Sequence, residues 1–203
     1  MLFKHFLAAL PFVASVLADA PLEKGNWKEI TPTFAEQKCG GGDIKGNLFS
    51  IPHAKNNSPG SCDNGHLRAE RRYRNDYTSD VHQFGGTFKI SSMSGNRVSI
   101  KQSFHGKEGA YFILAAENTG RLYSVNGGVT VDESVAKVGA SVRINTVHDV
   151  PGRRFSVYVN GVEKYTDHKA PNGTFYDKIG AYTTNSGEGG LVIDWSDVQF
   201  WSR

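Results

Sequence analysis

Beyond its first twenty residues this 203-residue chain has no long apolar run, only two cysteines and no marked excess of either charge. The missing apolar run excludes a helical membrane span from residue 21 onward. The one apolar stretch, Phe6 to Leu17, follows the basic pair Lys4-His5 and precedes the small residues Ala18 and Ala20. Residues 1–20 therefore read as a secretory signal peptide, too short to be a membrane anchor. Residues 21–203 are expected to form one exported domain, long enough to bury a sizeable core. The formal net charge is +3, and a cut after Ala18 removes Lys4 and leaves 22 basic against 20 acidic side chains. That balance is too mild to argue for nucleic acid as a partner, and no membrane partner is expected either.

Cys39 and Cys62, in an exported chain, read as a single disulfide tying an N-terminal loop. In the chain-entropy picture such a link stabilises by about 3 kcal/mol. Two cysteines without histidines at ligand spacing make no tetrahedral metal set, so neither a metal nor a cofactor is expected. Asn56-Asn57-Ser58 and Asn172-Gly173-Thr174 are glycosylation sequons that fit a eukaryotic secretory route.

Helical periodicity, internal repeats and low-complexity linkers are also missing; only Val131 to Val138 suggests a helical turn or two. Pro21 to Gly65 reads as irregular, with a brief strand at Leu48–Ile51. After it come short alternating segments: 67–73, 81–90, 97–104, 111–116, 121–125, 141–147, 154–159, 176–182 and 191–201. Turn sequences separate them, Asn160-Gly161 being the strongest hairpin signal. Short strands at this spacing predict an all-β domain, an antiparallel two-sheet jelly-roll sandwich of the concanavalin A-like kind.

Two strands carry more polar chemistry than solubility requires. In Tyr176-Asp177-Lys178-Ile179-Gly180-Ala181-Tyr182, alternation puts Tyr176, Lys178, Gly180 and Tyr182 on one face, with Ile179 and Ala181 on the other. In Arg68-Ala69-Glu70-Arg71-Arg72-Tyr73-Arg74, it gathers Arg68, Glu70, Arg72 and Arg74. A core cannot accept three guanidiniums, because each buried unpaired charge costs several kcal/mol, roughly. That face is either an ordinary solvated exterior or a groove in which Glu70 steadies arginines that grip carboxylates. A third segment, Arg97 to Gly109, interrupts the apolar row Val98, Ile100, Phe104 with Gln102, and places His105 just beyond it.

Together these segments resemble the alginate lyases of polysaccharide lyase family seven. Arg68-Ala69-Glu70-Arg71-Arg72 is similar to their R-x-E-x-R strand, and Tyr176 to Tyr182 resembles their Y-F-K-x-G-x-Y strand except at Asp177. Gln102 with His105 resembles their Q-[IV]-H element, but two residues intervene here instead of one. A β-bulge between them would let both side chains face the groove; without it Phe104 takes the histidine's place. The resemblance extends more loosely to glucuronan lyases of the same fold, where His53 would contribute.

The resemblance implies a concave substrate groove and β-elimination on an anionic polyuronate by a monomer that needs no metal. Arg72 or Arg68, with Gln102, would neutralise the substrate carboxylate and so stabilise the enolate-like state. Tyr182 would protonate the departing O4, and would also act as base where the C5 hydrogen lies on the same side; His105 would be the base where it lies opposite. The Tyr182 phenol would need a nearby cation to give up a proton at neutral pH. Tyr176, Lys178, Arg68, Glu70 and Arg74 would line subsites. A glycoside hydrolase would want two carboxylates across a cleft, and no E-x-D-x-x-E strand is present. A non-catalytic carbohydrate-binding protein would use the same groove but leaves the pairing of Gln102 with Tyr182 unexplained.

Overall fold

The computed structural model describes residues 21–203; the signal-peptide reading falls on residues 1–20, outside the described part. Among the described residues there is no α-helix, and every regular element is a strand.

Two antiparallel sheets pack face to face. One contains β1 (Lys28–Ile30), β3 (Asp43–Lys45), β4 (Leu48–Ile51), β6 (Val81–Met93), β11 (Ser141–Asp149), β12 (Arg154–Val159), β13 (Val162–Asp167) and β15 (Leu191–Ser202). The other runs in the order β10 (Thr130–Asp132), β9 (Leu122–Ser124), β8 (Gly109–Glu117), β7 (Arg97–His105), β14 (Phe175–Thr183), β5 (Arg68–Tyr73), β2 (Phe34–Cys39). This is the expected jelly-roll sandwich. Asn160 and Gly161 join β12 to β13 with φ of +49° and +80°, the positive pair that a two-residue type I′ hairpin requires.

The core lies between the sheets. Phe49, Phe84, Phe88, Ile90 and Trp195 from one sheet meet Ile100, Phe112, Leu114 and Ile179 from the other, all essentially inaccessible. Each such side chain is worth about 1.5–3 kcal/mol when fully buried. The strand faces follow from this: Ala69, Ile179 and Ala181 turn inward, which sends Arg68, Glu70, Lys178 and Tyr182 to the outer face of the seven-stranded sheet.

Two expectations are corrected. The segment 21–65, expected to hold one brief strand, holds four, β1 to β4, and β2 forms the edge of the second sheet beside β5. An edge strand with one neighbour and half-exposed, charged side chains carries no apolar row to reveal it. The region 131–138 has no helical turn. It holds part of β10 and then a bend in which the Asp132 carboxylate accepts the Ser134 and Val135 N–H groups, both at 3.2 Å. Such a side-chain acceptor competes with helix formation.

Candidate active site

The outer face of β5, β14 and β7 carries the expected polar groups. Glu70 sits at the centre, 2% exposed, and accepts a short hydrogen bond from the Gln102 amide. Arg68 Nε and Lys178 Nζ lie 3.2 and 3.7 Å from the same carboxylate oxygen. Burial pushes the Glu70 carboxyl up, and Lys178 and Arg68 only partly oppose it. Burial likewise pushes the Lys178 ammonium down, against the pull of Glu70. Two cations therefore share one carboxylate, and the site keeps surplus positive charge. A charged ligand gains most from such an arrangement where water is excluded.

Backbone detail decides which side chains reach this face. In the pairing of β7 with β8, one extra residue stands between Ser99 and Lys101. That bulge shifts the alternation, so Val98 and Ile100 face the core while Gln102 and Phe104 face outward. On β14 an extra residue between Ile179 and Tyr182 marks a second bulge against β7. Gly180 lies in it with φ +135°, and a Cβ there would stand 2.2 Å from the Ala69 carbonyl oxygen. Only glycine lets β14 and β5 approach this closely.

The hollow between these strands has a volume of about 470 Å³ and is lined by Arg68, Gln102, Phe104, Lys178 and Tyr182, among others. Asn64 Nδ2 donates to the Tyr182 hydroxyl oxygen at 2.9 Å, which leaves the phenol's own hydrogen free to be given elsewhere. The Arg68 guanidinium carbon lies 4.9 Å from the centre of the Tyr182 ring.

His105 does not join this hollow. The register of β7 on β14 runs without interruption from Lys101 opposite Ile179 to His105 opposite Phe175. β7 gains its extra residue earlier, at Ile100; the register shift between Ser103 and Phe104 puts the extra residue, Tyr111, on β8, so nothing in β7 turns His105 toward Gln102. Phe104 takes the outward position, stacked on Tyr176 at 5.1 Å with Lys178 Nζ 4.4 Å above its ring. His105 turns the other way, stacks on Phe175 at 4.9 Å and places Nε2 2.9 Å from the Asn172 carbonyl oxygen.

The remaining expected residues divide. Arg72 lies about 13 Å along β5 from Arg68. It pairs with Asp76 at 2.5 Å, donates to the Tyr73 carbonyl and lies 4.0 Å over the Tyr176 ring. Arg72, Tyr176 and Phe104 thus make a flat platform at one end of the hollow. Arg74 stands past the end of β5, exposed, and lines no part of the hollow. His53 is exposed and outside it too. Asp177, the departure from the family pattern, faces between the sheets. There it meets Lys101 Nζ at 2.7 Å, Ser103 Oγ at 2.9 Å and Asn75 Nδ2 at 2.8 Å.

Sequence reasoning missed His66 and Asn64. Both sit in the turn before β5 and line the hollow. The His66 ring stacks on Tyr182 at 4.6 Å, and its Nδ1 lies 2.5 Å from the Thr183 carbonyl oxygen. The disulfide between Cys39 and Cys62 anchors the turn, which closes through Cys62 N–H to the His66 carbonyl at 2.9 Å. The signal was available: His66 lies two residues before Arg68 and shares its phase.

No protein family described by its sequence profile matches the chain, and no curated protein matches it in sequence. Solved structures do match. An alginate lyase from Pseudomonas aeruginosa superposes with TM-score 0.62 at 17% identity, over 80% of this chain and 86% of that one. The family 7 alginate lyase from the marine Zobellia galactanivorans gives 0.62 at 12%, over 87% and 95%. An alginate lyase from a Corynebacterium gives 0.61 at 20%, over 76% of each chain. The chain has the jelly-roll fold of these alginate lyases.

Proposed function

We propose that this chain is a secreted polysaccharide lyase that cleaves a 1,4-linked polyuronate, mannuronate-containing alginate foremost, by β-elimination. The observation that carries the reading is the meeting of Tyr182, Gln102 and Arg68 in one hollow with surplus positive charge. Elimination has three requirements, and each has a group here. The substrate carboxylate must be neutralised before its C5 hydrogen becomes acidic; Arg68 and the second N–H of Gln102 serve that, with Lys178 behind them. The departing O4 must be protonated, for which Tyr182 keeps its hydroxyl hydrogen. A base must take the C5 proton, and a tyrosine or histidine side chain suits this.

The platform of Phe104, Tyr176 and Arg72 suits a neighbouring sugar, with ring faces for its C–H groups and a guanidinium for its carboxylate. Export is supported by the character of residues 1–20 and by the formed disulfide, a link that persists in oxidising compartments. A glucuronan is the second reading, because glucuronate differs from mannuronate only at C2 and keeps the C5 hydrogen on the side of O4.

The test is ultraviolet absorbance of the unsaturated uronate, which only elimination creates, on alginate and on glucuronan. New absorbance is expected from the wild type. Tyr182→Phe should lower turnover by about 10²-fold or more while polymer binding is retained. Binding without absorbance by the wild type would make this a carbohydrate-binding protein, and reducing ends without absorbance would make it a hydrolase.

A further inference from the structure

The groove contains an imidazole that the family pattern does not supply. His66 enters from the turn before β5, stacked on Tyr182 at 4.6 Å. With Nδ1 donating its hydrogen to the Thr183 carbonyl at 2.5 Å, the lone pair resides on Nε2. Among the described residues no protein group hydrogen-bonds that atom. A neutral imidazole with one nitrogen held by a backbone carbonyl and the other free is the form a general base needs.

We propose that His66 is the base that works with Tyr182, and that the two together restrict the enzyme to uronates whose C5 hydrogen lies on the same side as O4. This inference rests on the lyase reading above. His66 Nε2 takes the C5 proton, and the C–H electron pair becomes the C4–C5 double bond. The C4–O4 bond breaks, and O4 takes the Tyr182 hydroxyl proton. The imidazolium then returns its proton to the phenolate, so the pair is reset and nothing else is consumed.

The stereochemical limit comes from the opposite wall. Removing a C5 hydrogen that lies opposite O4 requires a base across the sugar ring from Tyr182. The positions of β7 and β8 that line the hollow are Gln102, Phe104, Gly109, Ala110 and Ile113, none of which accepts a proton from carbon. Lys178 is not on the facing strands but on β14 with Tyr182, its Nζ held between Glu70 and the Phe104 ring. D-Mannuronate and D-glucuronate carry the C5 hydrogen on the O4 side; L-guluronate carries it opposite. The substrate class is therefore a D-configured 1,4-linked uronate.

The test uses the full-length mature protein on polymannuronate, glucuronan and polyguluronate. The expected result is elimination on one or both of the first two, with activity on polyguluronate lower by about 10²-fold or more. His66→Gln and His66→Ala should lower kcat by about 10²–10⁴-fold with KM changed less than about threefold. The acid limb of the kcat/KM profile should vanish in both, and added imidazole should restore part of the rate to His66→Ala. Unchanged thermal unfolding would separate these effects from lost structure. An active enzyme whose His66→Gln variant keeps its kcat and its pH profile, or which cuts polyguluronate equally well, overturns the inference alone. A wild-type protein inert on all three polymers overturns the lyase reading and this inference with it.

Discussion

Arg68 and Arg72 share one face of β5, yet their neighbours give them different work. Arg68 has one carboxylate partner, Glu70, which it shares with Lys178 and Gln102, and its guanidinium lies against the Tyr182 ring. Arg72 is held by Asp76 and by the Tyr73 carbonyl, away from the phenol. A charge-assisted hydrogen bond is worth about 1.5–3 kcal/mol, so losing one to a substrate carboxylate costs roughly 10- to 150-fold. Arg68→Ala is expected to lower kcat/KM by that amount, chiefly through kcat. Arg72→Ala should act mainly on KM, by several-fold. Steady-state kinetics of the two variants on one polymer separates the roles, and equal losses in kcat would place Arg72 at the reacting sugar.

At the scale of the element, β14 carries the site because it is bulged at Gly180. The bulge lets Glu70 reach across to Gln102 while Ile179 and Ala181 stay in the core. Gly180→Ala forces a Cβ to within 2.2 Å of the Ala69 carbonyl oxygen and keeps a backbone angle that L-residues avoid. The expected loss is above about 2 kcal/mol of unfolding free energy, with activity falling more than stability because β5 and β14 part where Glu70 sits. Urea denaturation alongside the absorbance assay checks both. The turn before β5 is a second case: the disulfide and hydrogen bonds to Tyr182 and Thr183 of β14 together hold Asn64 and His66 over the hollow.

Across the whole molecule, the inter-sheet space contains a polar network beneath the aromatic packing. Asp177 is completely surrounded, and burial would raise its carboxyl, but Lys101, Asn75 and Ser103 more than offset that and hold it below the usual carboxylate range. His148, 2% exposed, sits nearby against Tyr77 and Phe175. Burial holds its pKa at about 4, with Asp177 pulling it up and His82 and Lys101 pushing it down. An unfolded histidine titrates near 6.5. Between those values the unfolded chain binds a proton that the folded one refuses, so stability falls as pH drops through that window. The loss is at most about 3 kcal/mol. Denaturation at pH 7 and pH 4 should show it, and His148→Leu should reduce the difference. A pH-independent stability over this range would remove His148 from the account.

The sequence alone determined the sandwich architecture, most of the strands from β4 onward and one face of the site. Alternation of apolar and polar residues is local, so Arg68, Glu70, Lys178 and Tyr182 were assigned to one face before any fold was known, and the Asn160-Gly161 turn was legible for the same reason. The Cys39–Cys62 link followed from composition. Tertiary structure decided the rest, because a bulge is a property of two paired strands and not of one. The extra residue at Ile100 appears only when β7 is laid against β8, and with it go the outward turn of Phe104 and the exclusion of His105. Edge strand β2 was hidden because its pairing lies on one side only. His66 reaches Tyr182 across 116 residues of chain, a proximity created by folding β5 beside β14 and closing the turn with a disulfide.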